Sequence, residues 1–61
     1  MKIIAKSNFD LETFSEYIIA DNLNQYYGKL IEKFLQDKVK EDDAVYPILV
    51  KDDYEIYEWQ P

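Results

Sequence analysis

Leu11-Glu12-Thr13-Phe14-Ser15-Glu16-Tyr17-Ile18-Ile19-Ala20-Asp21 is the stretch that decides between two folds. Leu11, Phe14 and Ile18 fall at i, i+3 and i+7, the spacing of an amphipathic helix. The β-branched and aromatic weight of Thr13 to Ile19 suits a pleated strand instead. That weight favours a strand over about 13–20. Upstream, Lys2-Ile3-Ile4-Ala5-Lys6 is a short apolar run between lysines and reads as a first strand, with turn formers Ser7-Asn8-Phe9-Asp10 after it. The two strands then make a hairpin.

Downstream, Asn22 and Gln25 are spaced like a capping pair that opens a helix. Tyr27, Leu30, Ile31, Phe34 and Leu35 repeat at helical spacing, with Leu23 one turn earlier. Gly28 lies within this helix despite its cost of about 1 kcal/mol relative to alanine, which points to close packing against the sheet. Lys38 and Lys40 suit the negative end of the helix dipole. Glu41-Asp42-Asp43 reads as a loop and Ala44 to Val50 as a strand whose Pro47 confines it to a sheet edge or a strand start. Lys51-Asp52-Asp53 reads as a turn and Tyr54 to Trp59 as a last strand. The expected fold is one small α+β domain over residues 1–61: a small antiparallel sheet with one covering helix, in ββαββ order. Two helices with a C-terminal β-hairpin is the alternative if residues 11–21 are helical.

The 61 residues carry 13 acids against 7 lysines, a net charge of −6, with no Cys, His or Arg. Disulfides, thiolate metal sites and His- or Cys-based catalysis are thereby excluded. No run approaches the roughly 18 apolar residues of a membrane span, and the opening residues lack a signal-peptide core, so a cytoplasmic protein is expected. Nucleic acid and anionic membranes are poor direct ligands for so acidic a chain. The charge is concentrated: six acids balance six lysines up to residue 40, whereas residues 41–61 hold seven acids against Lys51 alone.

Paired acids such as Asp42/Asp43 and Asp52/Asp53 serve as acid and base only where their environments separate their pKa values, and predicted loops do not provide that. No enzyme is expected. The same carboxylates, with Glu55, offer oxygens to a hard cation, but the spacing and turn glycine of an EF-hand are missing. No metal site and no cofactor are expected. A concentrated anionic surface can instead imitate the phosphates that a basic nucleic-acid channel expects; the competing reading is a charged edge that prevents aggregation. Ten aromatics exceed what one helix and a small sheet can hide, and Tyr and Trp are favoured interface anchors. The candidate partner-binding residues are therefore Asp52, Asp53, Glu55, Glu58, Tyr54, Tyr57, Trp59, Glu41, Asp42 and Asp43. So short a chain has little core, which also makes homodimerisation an option.

The chain resembles the small acidic accessory proteins, about 60 residues long, of temperate phages of low-GC Gram-positive bacteria. Three segments carry the resemblance: Lys2-Ile3-Ile4-Ala5-Lys6-Ser7-Asn8-Phe9, Ile18-Ile19-Ala20-Asp21-Asn22-Leu23, and Asp52-Asp53-Tyr54-Glu55-Ile56-Tyr57-Glu58-Trp59. It brings no catalytic or binding motif. It implies a non-enzymatic protein acting in the host cytoplasm, where some such proteins inhibit host defence or replication proteins, including by DNA mimicry. The expectation is a host protein partner with a basic, nucleic-acid-binding surface; the alternative is an assembly module that homodimerises.

Overall fold

The computed structural model describes residues 1–7, 14–40 and 43–60. These form three strands and a helix in the order β1 (Lys2–Ser7), β2 (Tyr17–Ala20), α1 (Gln25–Lys38) and β3 (Val45–Val50). The sheet is antiparallel throughout, with β1 between β2 and β3. The strand reading of the ambiguous stretch holds over 17–20, and β2 pairs with β1, Ile4 opposite Ile18 and Ala5 opposite Tyr17. Residues 14–16 are irregular, residue 13 lies outside the described residues, and the two-helix alternative is not what forms.

Central β1 holds the core: Ile3 and Ile4 are fully buried and Ala5 is nearly so. Side chains alternate across a strand, so burying all three in succession requires cover on both faces of the sheet. Ile3 and Ala5 share a face with Leu49 and Pro47, their partners on β3. The helix covers that face, with Gly28 against the side chain of Leu49. Lys2, Ile4 and Lys6 share the other face, where the segment after Tyr54 lies, held by both lysines.

The helix begins two residues later than the capping pair suggests. Asn24 is the N-cap, its side-chain oxygen accepting from the Tyr27 amide at 2.8 Å. Asn22 instead takes a left-handed conformation (φ 57°), which asparagine tolerates better than most residues. Lys38 occupies the last turn, where its charge suits the dipole.

The helix is also rotated away from its apolar stripe. At about 100° per residue, Gly28, Glu32, Leu35 and Val39 fall on one line, and this line faces the sheet. Gly28 is buried, and Glu32, Leu35 and Val39 are half-buried. Tyr26, Tyr27, Leu30 and Phe34 are exposed by 68, 59, 51 and 61%. Two polar side chains explain the turn. Glu32 accepts from the Leu49 amide at 2.6 Å, and the Gln36 amide donates to the Pro47 carbonyl at 3.0 Å. Both groups point outward from β3, whose other side pairs with β1. Pro47 therefore sits on an edge strand, where its missing N–H leaves no gap in the β1 pairing.

Close packing explains Gly28, since a Cβ there would lie 2.8 Å from Leu49 Cδ1 and 3.2 Å from Cδ2. Gly28→Val is expected to lower stability by about 1–2 kcal/mol, because overpacking and χ1 restriction outweigh the gain in helix propensity. Equilibrium urea unfolding checks this, and a variant as stable as the parent would show that the helix stands off the sheet.

The fifth expected element is absent. The turn at Lys51–Asp53 forms, with the Tyr54 amide donating to the Lys51 carbonyl at 3.0 Å. Residues 54–59 then run irregularly instead of as a strand. Both sides of β3 are already occupied, one by β1 and the other by Glu32 and Gln36. The chain therefore crosses beneath β1 rather than returning along β3, and the order is ββαβ.

Candidate acidic and aromatic surface

The crossing segment carries most of the candidate residues, and four polar side chains, Lys2, Lys6, Ser15 and Glu16, hold it. Lys2 Nζ donates to the Tyr54 carbonyl at 2.8 Å and to the Asp52 carbonyl at 3.3 Å. Lys6 Nζ lies 3.2 Å from the Tyr54 hydroxyl and 5.5 Å from the centre of its ring. Glu16 is the hub. One oxygen of its carboxylate accepts from the Tyr54 hydroxyl at 2.8 Å and from the Tyr57 amide at 3.0 Å. Its other oxygen is 3.5 Å from Lys6 Nζ. The Glu16 amide donates to the Tyr57 carbonyl at 2.9 Å, and the Trp59 amide donates to Ser15 Oγ at 3.0 Å.

These contacts explain why no fourth strand forms. A ladder needs the Tyr57 and Trp59 amides to meet backbone carbonyls, and both are taken by side-chain oxygens.

The network also sets the charge states. Burial pushes the Glu16 carboxyl upward, but the Tyr57 amide, the Tyr54 hydroxyl and the Lys6 ammonium outweigh it and hold the group below its ordinary value of 4.5. The Tyr54 hydroxyl raises Lys6 above 10.5, against the opposing effect of burial and with the help of the Glu16 charge. Both groups are ionised at neutral pH.

The candidate residues divide accordingly. Tyr54 is half-buried and serves as an anchor of the segment. Asp52 is exposed, but its carboxylate lies 3.0 Å from the amino group of Met1. Asp53, Glu55 and Glu58 are exposed, and no described residue pairs with their carboxylates. Tyr57 and Trp59 are 47 and 42% exposed. Asp43 is exposed, and its carboxylate caps the Lys40 amide at 2.8 Å. Glu41 and Asp42 lie outside the described residues. The structure thus brings Asp52, Asp53, Glu55, Tyr57, Glu58 and Trp59 into one short surface segment.

Sequence reasoning missed Lys2, Lys6, Ser15 and Glu16. The available signal was alternation: Lys2, Ile4 and Lys6 share a face of an apolar strand, and two lysines beside a core isoleucine call for something polar to cover them. Among the described residues, no group of three or more carboxylates converges as a metal site would require. No described helix is long and apolar enough to cross a membrane. The chain matches no protein-family model, and neither a curated protein nor a solved structure matches it.

Proposed function

We propose that this chain is a non-enzymatic accessory protein, of the phage type that its sequence resembles, which binds a host protein through the segment from Asp52 to Trp59. The partner is a protein with a basic, nucleic-acid-binding surface, and the outcome of binding is inhibition or modulation. The observation that carries the reading is the pairing of exposed charge with a restrained backbone. Asp53, Glu55 and Glu58 are exposed and have no partner among the described residues, while the backbone between them is tied down at Tyr54, Tyr57 and Trp59. Preorganised carboxylates lose little entropy on meeting lysine or arginine. Tyr57 and Trp59 add the aromatic anchors that supply most of the energy in many interfaces.

The mimicry is one of charge rather than of spacing, because no regular strand sets the carboxylates at a fixed interval. Charge of this kind steers encounter and competes with nucleic acid for the same lysines and arginines. Asp52 contributes less than its neighbours because the Met1 amino group already neutralises it in part.

Affinity capture from host lysate tests the reading. The parent is compared with a variant carrying Asp52→Asn, Asp53→Asn, Glu55→Gln and Glu58→Gln, at low and moderate salt. The parent is expected to retain a nucleic-acid-binding protein that added duplex DNA displaces. If each unpartnered acid contributes about 0.5–1 kcal/mol, neutralisation weakens binding roughly tenfold or more. Capture indifferent to salt and to the four substitutions would leave the acids as a charged, aggregation-resistant surface.

A further inference from the structure

Among the described residues, the face of the sheet opposite the acidic segment is only half covered. The helix leaves a groove of about 260 Å³ beside it, floored by β1, β2 and the start of β3 at Val45 to Pro47. Ala5, Tyr17 and Ile19 line its sheet side, and Leu35 and Val39 its helix side. Tyr17 and Ile19 are 53 and 44% exposed. Two strands at roughly 4.8 Å spacing present a surface about 10 Å wide, which is the diameter of one helix.

The helix also presents an exposed apolar surface that no other described element covers. Relative to Gly28, Tyr27, Ile31 and Phe34 fall roughly 60–120° round α1. That is the side towards the groove, where Lys38 lines the opening and lies over the Phe34 ring at 5.4 Å. Tyr26 and Leu30 lie about 160° round, facing away from the sheet. Polar Gln25, Lys29 and Gln36 occupy the opposite flank.

We propose that two copies of the chain pair face to face, so that apolar side chains on the exposed helix face of each enter the groove of the other. The middle layer of this dimer is two antiparallel helices between two sheets. The midpoint of α1 falls at Ile31 and Glu32, so a two-fold axis runs beside Ile31 and sets Tyr27 of one copy opposite Phe34 of the other. Tyr26 and Leu30 reach the partner's β1 and β2. An isologous contact of this kind closes at two copies.

Area and charge both support a second copy as the occupant. A buried aromatic covers roughly 150–250 Å². Scaling by the observed exposures, with somewhat less for isoleucine and leucine, gives about 700 Å² per copy. A stable interface takes roughly 800 Å² per partner. The acids between Asp52 and Glu58 lie across the sheet from this surface. Lys33 and Asp37, opposite charges at i, i+4, share the outward arc of the helix with Tyr26 and Leu30, so the helix brings little net charge to the contact. The molecule is also only 12 Å thick against 36 and 27 Å in its other dimensions, and a second sheet–helix layer supplies the burial that one copy lacks.

Sedimentation equilibrium over a wide concentration series tests the proposal. The parent is expected at twice its 7.4 kDa mass. Leu30→Glu and Phe34→Glu alter exposed positions, so both keep the parent's circular dichroism and sediment as monomers. The fourfold acid variant dimerises like the parent, which separates this proposal from the reading of the acidic segment. Because the chain has no cysteine, Ile31→Cys supplies a unique thiol for a short bismaleimide cross-linker. Ile31→Cys is expected to cross-link into dimers and Lys29→Cys, on the far flank, is not. A parent that stays at 7.4 kDa throughout, a dimer untouched by both glutamates, or the reverse cross-linking pattern overturns the proposal.

Discussion

Glu16→Ala is expected to release the segment from Tyr54 to Trp59 and to lower stability by about 2–3 kcal/mol. The side chain is 8% exposed and holds the Tyr54 hydroxyl, the Tyr57 amide and the Lys6 ammonium at once. Hydrogen bonds to a charged group contribute about 1.5–3 kcal/mol each, and removing the acceptor leaves its donors to find water. The segment contains the chain's one tryptophan, so its release is read directly from Trp59 fluorescence. A variant with parental fluorescence and stability would show that the contacts of Lys2, Lys6 and Ser15 hold the segment without the Glu16 carboxylate.

Acid reports on the same contact. The folded protein holds Glu16 below 4.5, so its contribution is complete above that value and is lost as pH falls through the lower, folded-state value. A fluorescence transition below pH 4.5 is expected in the parent. Glu16→Gln cannot titrate and is expected to abolish that transition. If partner binding depends on the restrained backbone, Glu16→Ala also weakens it with every exposed acid still in place.

The second large effect is expected at Ile4. This residue is fully exposed to neither face: it sits opposite Ile18 on one side and Ile48 on the other, beneath the crossing segment, with no solvent contact. Truncation to alanine is expected to cost about 3 kcal/mol, from lost transfer energy and the cavity left behind. Small domains are stable by only about 0.05–0.15 kcal/mol per residue, so Ile4→Ala removes much of the total. Ile18→Ala is the control, because Ile18 is 45% exposed and its loss is expected to cost less than half as much. Urea midpoints compare the two directly. Equal losses would contradict a core centred on β1.

Much of this architecture was legible from residue order. The lysine-flanked β1, its hairpin with β2, the helix, the close approach at Gly28, the edge position of Pro47 and the turn at Lys51–Asp53 all follow from local chemistry. The last strand was misread for a non-local reason: the amides of Tyr57 and Trp59 are captured by Glu16 and Ser15, some 40 residues away in sequence. The helix face was misread because periodicity identifies an apolar stripe but not what it packs against. Here Glu32 and Gln36 reach β3, and the glycine between the two stripes lets that side come close. The exposed acids were legible from charge alone. Their anchors were not, since a lysine pairing with a carbonyl 50 residues away has no local signature.

The bonds from Glu32 and Gln36 to β3 have a consequence for how the chain polymerises. Growth of a cross-β filament proceeds by adding strands at both ends of a sheet, and each added unit must offer a fresh edge. In this protein one end is stoppered, because a carboxylate and a carboxamide already occupy the Leu49 amide and the Pro47 carbonyl. Strand addition is left with β2 alone. Two molecules that meet edge to edge there leave β3 outermost at both ends, where further strand addition has first to displace Glu32 and Gln36.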